Sequence, residues 1–239
     1  MMSSLKNAER SADIRLTAQI APATPPATAQ HLMFRALPYR EVKRRLWHMS
    51  PGLLALLLQV FPHRDPISPT LQAIILGCVV LIAGRISLGY RQIQRLGESD
   101  GAAAVAGYSL SVLLTILAFP GDLELGLSVL SILAFGDGSA TLIGLSLRGP
   151  VLPWNSAKSW SGLAGFIAVG SFMTAWIYRG ETHNPEALAP GVSFATALCL
   201  TMPAVIIAGF FESLRSRIND NIRVGVISAI TLIMLHSLR

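Results

Sequence analysis

Phe135 to Gly162, FGDGSATLIGLSLRGPVLPWNSAKSWSG, sets one carboxylate, Asp137, between Gly136 and Gly138 inside an otherwise apolar run. Ionisable groups at membrane depth are costly enough to point to function. Further along, Lys158 stands at the head of the next apolar run. Upstream, Leu123 to Phe135 would make roughly 20 Å of helix, too short to cross a hydrocarbon core of roughly 30 Å unaided. Two readings stay open. In one, Gly136 and Gly138 break the span into half-helices around Asp137, and N–H groups near Ser139 face an anion. In the other the helix is unbroken, and Gly136, Ala140 and Gly144, spaced four apart, let a second helix approach closely. Asp137 also reads as a buried acid paired with an arginine of another span, for example Arg85, and Lys158 alone reads as an interfacial anchor.

The surrounding chain is apolar. Its 239 residues are 52% hydrophobic and 13% charged, with a mean hydropathy of +0.54. That is too poor in charge for an ordinary soluble domain of this length, so the sequence reads as an all-α polytopic membrane protein. Runs long enough to span lie near 46–62, 70–88, 102–119, 123–147, 159–178, 188–210 and 222–238, about seven transmembrane helices. Residues 1–38, with the tract APATPPATA, read as a disordered arm, and Glu9 and Asp13 argue against a transit peptide. Residues 39–239 read as a single transmembrane domain. The net charge is +6, but the basic residues are scattered between apolar runs, which argues against nucleic-acid binding. Cys78 and Cys199 fall within apolar runs and read as packing residues rather than a disulfide, a zinc ligand set or a thiol catalyst.

Counting lysine and arginine in alternate loops orients the chain. Arg35, Arg40, Lys43, Arg44, Arg45, Arg91, Arg95, Arg148, Lys158, Arg215, Arg217 and Arg223 fall on one side, and only Arg64, Arg179 and Arg239 on the other. The N-terminus is therefore expected in the cytoplasm, with the protein in the cell inner membrane. The cytoplasmic connections then hold Glu98, the segment from Asp137 to Lys158, and FESLRSRINDN with Glu212, Asn219, Asp220 and Asn221. Groups suited to a metal and phosphate gather on that face, and the outer loops read as short and plain. His48 reads as interfacial, and Trp47, Trp154 and Trp160 as an aromatic belt.

Soluble nucleotide motifs are absent. Gly144 and Gly149 are spaced like a P-loop opening, but Pro150 and Val151 stand where Lys and Ser/Thr are required. GDGSAT is no dinucleotide fingerprint.

The pattern GD-G-x-A-x-x-x-G (Gly136, Asp137, Gly138, Ala140, Gly144), followed by K-[ST]-x-x-G (Lys158, Ser159, Gly162), resembles the CTP-dependent lipid-alcohol kinases. These include polyprenol, phytol and dolichol kinases and CTP-using diacylglycerol kinases, with the CDP-diacylglycerol synthases as broader relatives. KRRLWHMSPG resembles their R-K-x-x-H-x-x-x-G opening, GESDGAAAVAGYSL their E-x-x-G-x-x-x-Y segment, and ESLRSRINDN their E-x-x-x-x-x-x-D-D-N element. Asn219 departs from the last by replacing its first acid, and Ser161 stands where members often carry an acid.

The resemblance implies transfer of the γ-phosphoryl group of CTP to the hydroxyl of a membrane isoprenoid alcohol or diacylglycerol. On this reading Asp137 and Asp220, with Glu212 or Asn221, hold Mg²⁺, Lys158 contacts the phosphates with Arg148 as helper, and Glu98 binds metal or orients the hydroxyl. Gly136, Gly138, Gly144, Ser159 and Gly162 shape the substrate site. The rival enzyme is a phosphatidate cytidylyltransferase, whose long C-terminal signature is missing. The rival from another class is a transporter or structural membrane protein, which calls for polar groups across to the outer side. The sequence carries no mark of oligomeric state.

Overall fold

A computed structural model describes residues 37–61, 63–93, 101–185, 187–188, 190–216 and 218–238. The arm up to residue 36, Arg95, Glu98, Arg217 and Arg239 lie outside the described residues. The apolar runs become helices: α1 (Tyr39–Met49), α2 (Gly52–Leu58), α3 (Pro69–Ile93), α4 (Gly101–Ala118), α5 (Leu123–Ser131), a π-helical segment (Ile132–Asp137) and α6 (Gly138–Leu147). A hairpin of β1 (Val151–Leu152) and β2 (Asn155–Ser159) follows, then α7 (Trp160–Thr182), α8 (Phe194–Ser213) and α9 (Asp220–His236). Among the described residues, four helical stretches are long and apolar enough to cross a membrane: Pro69–Gly89, Leu123–Leu147, Trp160–Thr182 and Phe194–Ser213.

The stretch around Asp137 does not break. α5, the π-helical segment and α6 run on as one rod, with Gly138 in helical conformation. Leu123, Leu127, Leu130, Ile132 and Leu133 on this rod are fully buried, so it is the axis on which the other helices pack. Between helices in lipid there is little hydrophobic driving force, and close backbone approach supplies the attraction instead. A Cβ at Gly162 would lie 2.9 Å from the Ala140 carbonyl oxygen, and one at Gly170 would lie 3.4 Å from Gly136 Cα. The small residues of the rod thus face the small residues of α7, and Thr174 Oγ1 donates to Ser131 Oγ at 3.1 Å across the same contact. The unbroken alternative is the one realised, with a π-helical insertion that periodicity does not reveal. Such insertions are common at functional sites, and Asp137 ends this one.

The run 46–62, expected as one span, is two short helices. Pro51, which has no N–H to donate, stands between them, and α2 has only seven residues, about 10 Å of helix. The segment still travels along the rod and α7. His48 Nε2 lies 3.1 Å from the Leu133 carbonyl, and Gln59 Nε2 donates to the Ile177 carbonyl near the far end of α7. The hairpin is a second departure from an all-helical expectation. Pro153 and Trp154 make its turn, and Trp154 Nε1 and Asn155 Nδ2 donate to the Ser213 hydroxyl and carbonyl, each at 2.9 Å. Cys78 and Cys199, expected as packing residues, are exposed on α3 and α8.

Candidate functional site

Lys158 reaches its position because the hairpin is pinned to the end of α8. The K-S-x-x-G run then divides its work. Ser159 caps α7, its hydroxyl accepting from the Gly162 N–H at 3.2 Å, and Gly162 lets α6 close on α7. Lys158, the residue before the cap, is free to project from the strand. Its Nζ lies 2.5 Å from Glu212 Oε1 at the end of α8 and 3.6 Å from Asp220 Oδ2 at the start of α9, and it also donates to the Glu212 carbonyl. Arg223 Nη2 holds the other Asp220 oxygen at 2.6 Å and donates to the Leu214 carbonyl at 3.1 Å. Asn219 has the structural task its position suggests for any Asn: it caps α9, accepting from the Asn221 N–H at 3.0 Å.

Asp137 meets a different set of cations. Its Oδ2 lies 2.9 Å from His48 Nε2 and 3.3 Å from Arg45 Nη1. Both come from α1, where residues three apart share a face, and Glu41 on the same face backs Arg45 at 3.5 Å. The arginine partner is therefore Arg45, whereas Arg85 is exposed on α3. His48, read from sequence as interfacial, contacts the acid. Tyr108 of α4 packs edge-on against His48, ring centroids 4.9 Å apart, and its buried hydroxyl has no hydrogen-bond partner among the described residues. Arg45 and Tyr108 lie within the quoted stretches KRRLWHMSPG and GESDGAAAVAGYSL, but the sequence gives neither a role in the site. The three-residue step from Arg45 to His48 was the available signal, visible only once α1 is known to face Asp137.

These groups line one cavity of about 1170 Å³. Its wall includes Arg45, His48, Tyr108, Asp137, Gly144, Arg148, Lys158, Ser159, Gly162, Glu212, Asn219, Asp220 and Asn221. Arg148 ends α6 in the left-handed conformation, φ 42°, which turns the chain toward the hairpin. The same cavity continues between Leu53, Leu54 and Leu57 of α2 and Val79, Ile82 and Ile86 of α3. Gly136 and Gly138 do not line it. Gly136 faces the Phe166 ring, and a side chain at Gly138 would collide with Met49, so their smallness serves packing. The Ser139 N–H groups offer no anion site either, because the helix runs through them, and the Ser139 hydroxyl donates to the Gly136 and Gly165 carbonyls.

The donor set has a definite chemical character. Among the described residues, Asp137, Glu212 and Asp220 are not a set whose ligand atoms all lie within 4.8 Å of one another, so they form no closed three-ligand cage. Each is matched to a cation instead. Mg²⁺ is commonly held by one or two carboxylates together with substrate phosphates and water, so separated carboxylates interleaved with Lys158, Arg45 and Arg223 fit an ion that arrives with a phosphate ligand. Such a ligand would exchange its oxygens for the carboxylates now paired with these cations.

No family model matches the chain, and no solved structure matches it. Over 100 residues, 40% of this chain, it is 29% identical to a protein of Triticum aestivum described as a probable phytol kinase, chloroplastic. The match covers 33% of that relative, so the chain spans about a third of its length. What the comparison supports is a distant likeness to a protein described as a probable phytol kinase, carried by part of a helical chain with four apolar helices long enough to cross a membrane among the described residues.

Proposed function

We propose that the protein is a lipid-alcohol kinase that transfers the γ-phosphoryl group of a nucleoside triphosphate, CTP by the family resemblance, to the hydroxyl of a membrane lipid. The observation that carries this reading is the two-part cavity. One end holds cations and carboxylates, and the other is a slot between α2 and α3 lined by leucine, isoleucine and valine. A lipid alcohol needs both, with its tail in the slot and its hydroxyl at the charged end. Phytol is the first acceptor to try, since it is the substrate named for the distant relative.

In the transfer, the lipid oxygen forms a bond to the γ-phosphorus and gives up its proton to solvent, while the bond to the bridging β-phosphate oxygen breaks, releasing the nucleoside diphosphate. Catalysis of this kind is mainly positioning and charge neutralisation. Lys158 would leave Glu212 for the phosphates, with Arg148 beside it. Asp137, held by His48 and Arg45, and Asp220, held by Arg223, would supply the carboxylates for Mg²⁺, with Glu212 or Asn221 assisting. The ion would supply charge neutralisation on the phosphate oxygens. Glu98, outside the described residues, would bind the metal or orient the hydroxyl. The segment 46–62, although broken, would still cross, giving seven passes with the N-terminus and the Lys158 end in the cytoplasm, in the inner membrane.

Purified protein in detergent, given labelled CTP, Mg²⁺ and phytol, farnesol, a long polyprenol or diacylglycerol, tests the proposal. The expected products are a phosphorylated lipid and CDP, lost in Asp137→Asn. Release of pyrophosphate from phosphatidic acid would instead identify a cytidylyltransferase. Wild-type transfer by Asp137→Asn would reject the role given to that residue.

A further inference from the structure

The other end of α7 holds a second cluster of polar groups. Glu181 sits in the last turn of that helix, roughly 33 Å along it from Lys158 at 1.5 Å per residue. His63 and Asp65, on the loop between α2 and α3, fold over it. His63 Nε2 lies 2.7 Å from Glu181 Oε1 and 4.0 Å from Asp65 Oδ1, and the three side chains are 5%, 0% and 1% exposed for His63, Glu181 and Asp65. None of them lines the cavity described above.

An ion pair alone does not account for this arrangement. Among the described residues, Glu181 Oε2 and both oxygens of Asp65 are buried without a hydrogen-bond partner, and so is the side-chain oxygen of neighbouring Asn184. The Leu188 amide faces Asp65 without closing a full hydrogen bond. Buried carboxylate oxygens left unpaired are costly, and native structures seldom retain them without a reason. The charge count points the same way. Two carboxylates and one imidazolium leave a net negative charge in a buried site, whereas a divalent cation with a neutral imidazole brings the sum to zero.

His63 is also set for ligation. Its Nδ1 lies 3.1 Å from the Phe61 carbonyl, which can only accept, so Nδ1 carries the proton and Nε2 faces the two acids. Fixing the tautomer of a metal-bound histidine through a backbone carbonyl is the usual outer-shell device. The His63 carbonyl in turn accepts from Asn184 Nδ2 at 2.8 Å, tying the loop to the end of α7.

We propose that His63 Nε2, Asp65 and Glu181, whose ligand atoms lie within 4.8 Å of one another, hold a divalent first-row metal ion at the end of the protein opposite the kinase site. One imidazole nitrogen with two carboxylates suits Zn²⁺ or Mn²⁺ better than Mg²⁺ or Ca²⁺, which prefer all-oxygen sets. The ion would staple the α2–α3 loop to α7. A second group, Asp122, Glu124 and His236, lies less deeply buried, and its histidine is already bonded to the Tyr178 hydroxyl at 2.8 Å, so it serves as a control.

The test uses the full chain in detergent, stripped with a chelator and titrated with Zn²⁺ or Mn²⁺, with bound metal measured by elemental analysis and unfolding followed by heat. Asp65→Asn removes a ligand and leaves the His63–Glu181 pair to hold the loop. The expected result is one ion per wild-type chain with a saturable rise in Tm, binding weakened about tenfold or more in Asp65→Asn, and no such weakening in Asp122→Asn. Failure of both ions to bind or to raise Tm overturns the proposal, as does equal affinity in Asp65→Asn. Should that variant not fold, X-ray absorption of the zinc-loaded wild type decides: a shell of one imidazole nitrogen with oxygens supports the site, and any shell without imidazole rejects it. Neither measurement reads transferase activity, so the outcome stands apart from the kinase proposal.

Discussion

Replacing Lys158 by Met separates what that residue does for the fold from what it does for phosphate. Lys158 is a quarter exposed, and Glu212, 2.5 Å away, is 10% exposed. Losing the lysine leaves a nearly buried carboxylate with no cation on its side chain among the described residues, since Arg223 reaches only the Glu212 backbone carbonyl. Breaking a fully buried pair costs about 3–5 kcal/mol, and the exposure of Lys158 brings the expectation down to about 2 kcal/mol. For a chain of this length that lowers Tm by about 4–8 °C, measurable in detergent by tryptophan fluorescence. Adding Glu212→Gln removes the stranded charge and should recover most of the loss. Transfer activity should behave differently. Removing a preorganised cation from the reacting phosphates costs about 10²–10³ in kcat/KM, and the second substitution should not restore it. A double variant no more stable than Lys158→Met would refute the pairing energetics. A double variant with restored activity would refute the phosphate contact.

The remaining expectations can be checked independently. Gly162→Leu should cost at least about 2 kcal/mol, because its Cβ would stand 2.9 Å from the Ala140 carbonyl, and detergent-stable yield should fall with Tm. Asn219→Ala should lose about 1 kcal/mol from the α9 cap while Asn219→Asp keeps it, and equal Tm values in the two would reject the capping role. The Glu181 hydrogen bond, against the opposing effect of burial, lifts the His63 pKa from 6.5 to about 9, with help from the Phe61 carbonyl and the charges of Glu181 and Asp65. In chelator, the imidazolium therefore stabilises the fold fully below pH 6.5, and about 3 kcal/mol is lost as pH rises through about 9. The stability difference between wild type and His63→Asn should shrink over that window, and a flat difference would contradict it. Finally, Ser156→Cys, in a background with Cys78 and Cys199 replaced, should react with impermeant thiol reagent only from the cytoplasmic side. Labelling from outside would reverse the orientation.

Several site residues are legible in the chain because their signals are local. The apolar runs are long, so most helices follow from composition and length. The small residues at positions 136, 140 and 144 announce a close helix contact, and Lys158 with Ser159 and Gly162 contains its own cap and its own packing surface. Asp137 stands out as a lone acid among apolar residues, and the arginine pairing that its sequence also allows is met, by Arg45. The sequence also left signals without an address. Arg45 and His48 look like part of a basic lead-in until α1 is seen beside the π-helical segment. The hairpin hides because its short strands owe their place to Ser213, far along the chain.

The second cluster marks the limit most clearly. The outer loops read as plain because His63, Asp65 and Glu181 occur one or two at a time, each ordinary where it stands. Sequence alone determined a helical, membrane-spanning chain with an acid and a lysine set into its apolar runs, since span length and charge placement depend only on neighbours along the chain. Tertiary structure alone decided which cation meets which acid, because a 2.7 Å contact between residues 63 and 181 is made by packing and leaves no periodic trace in either segment.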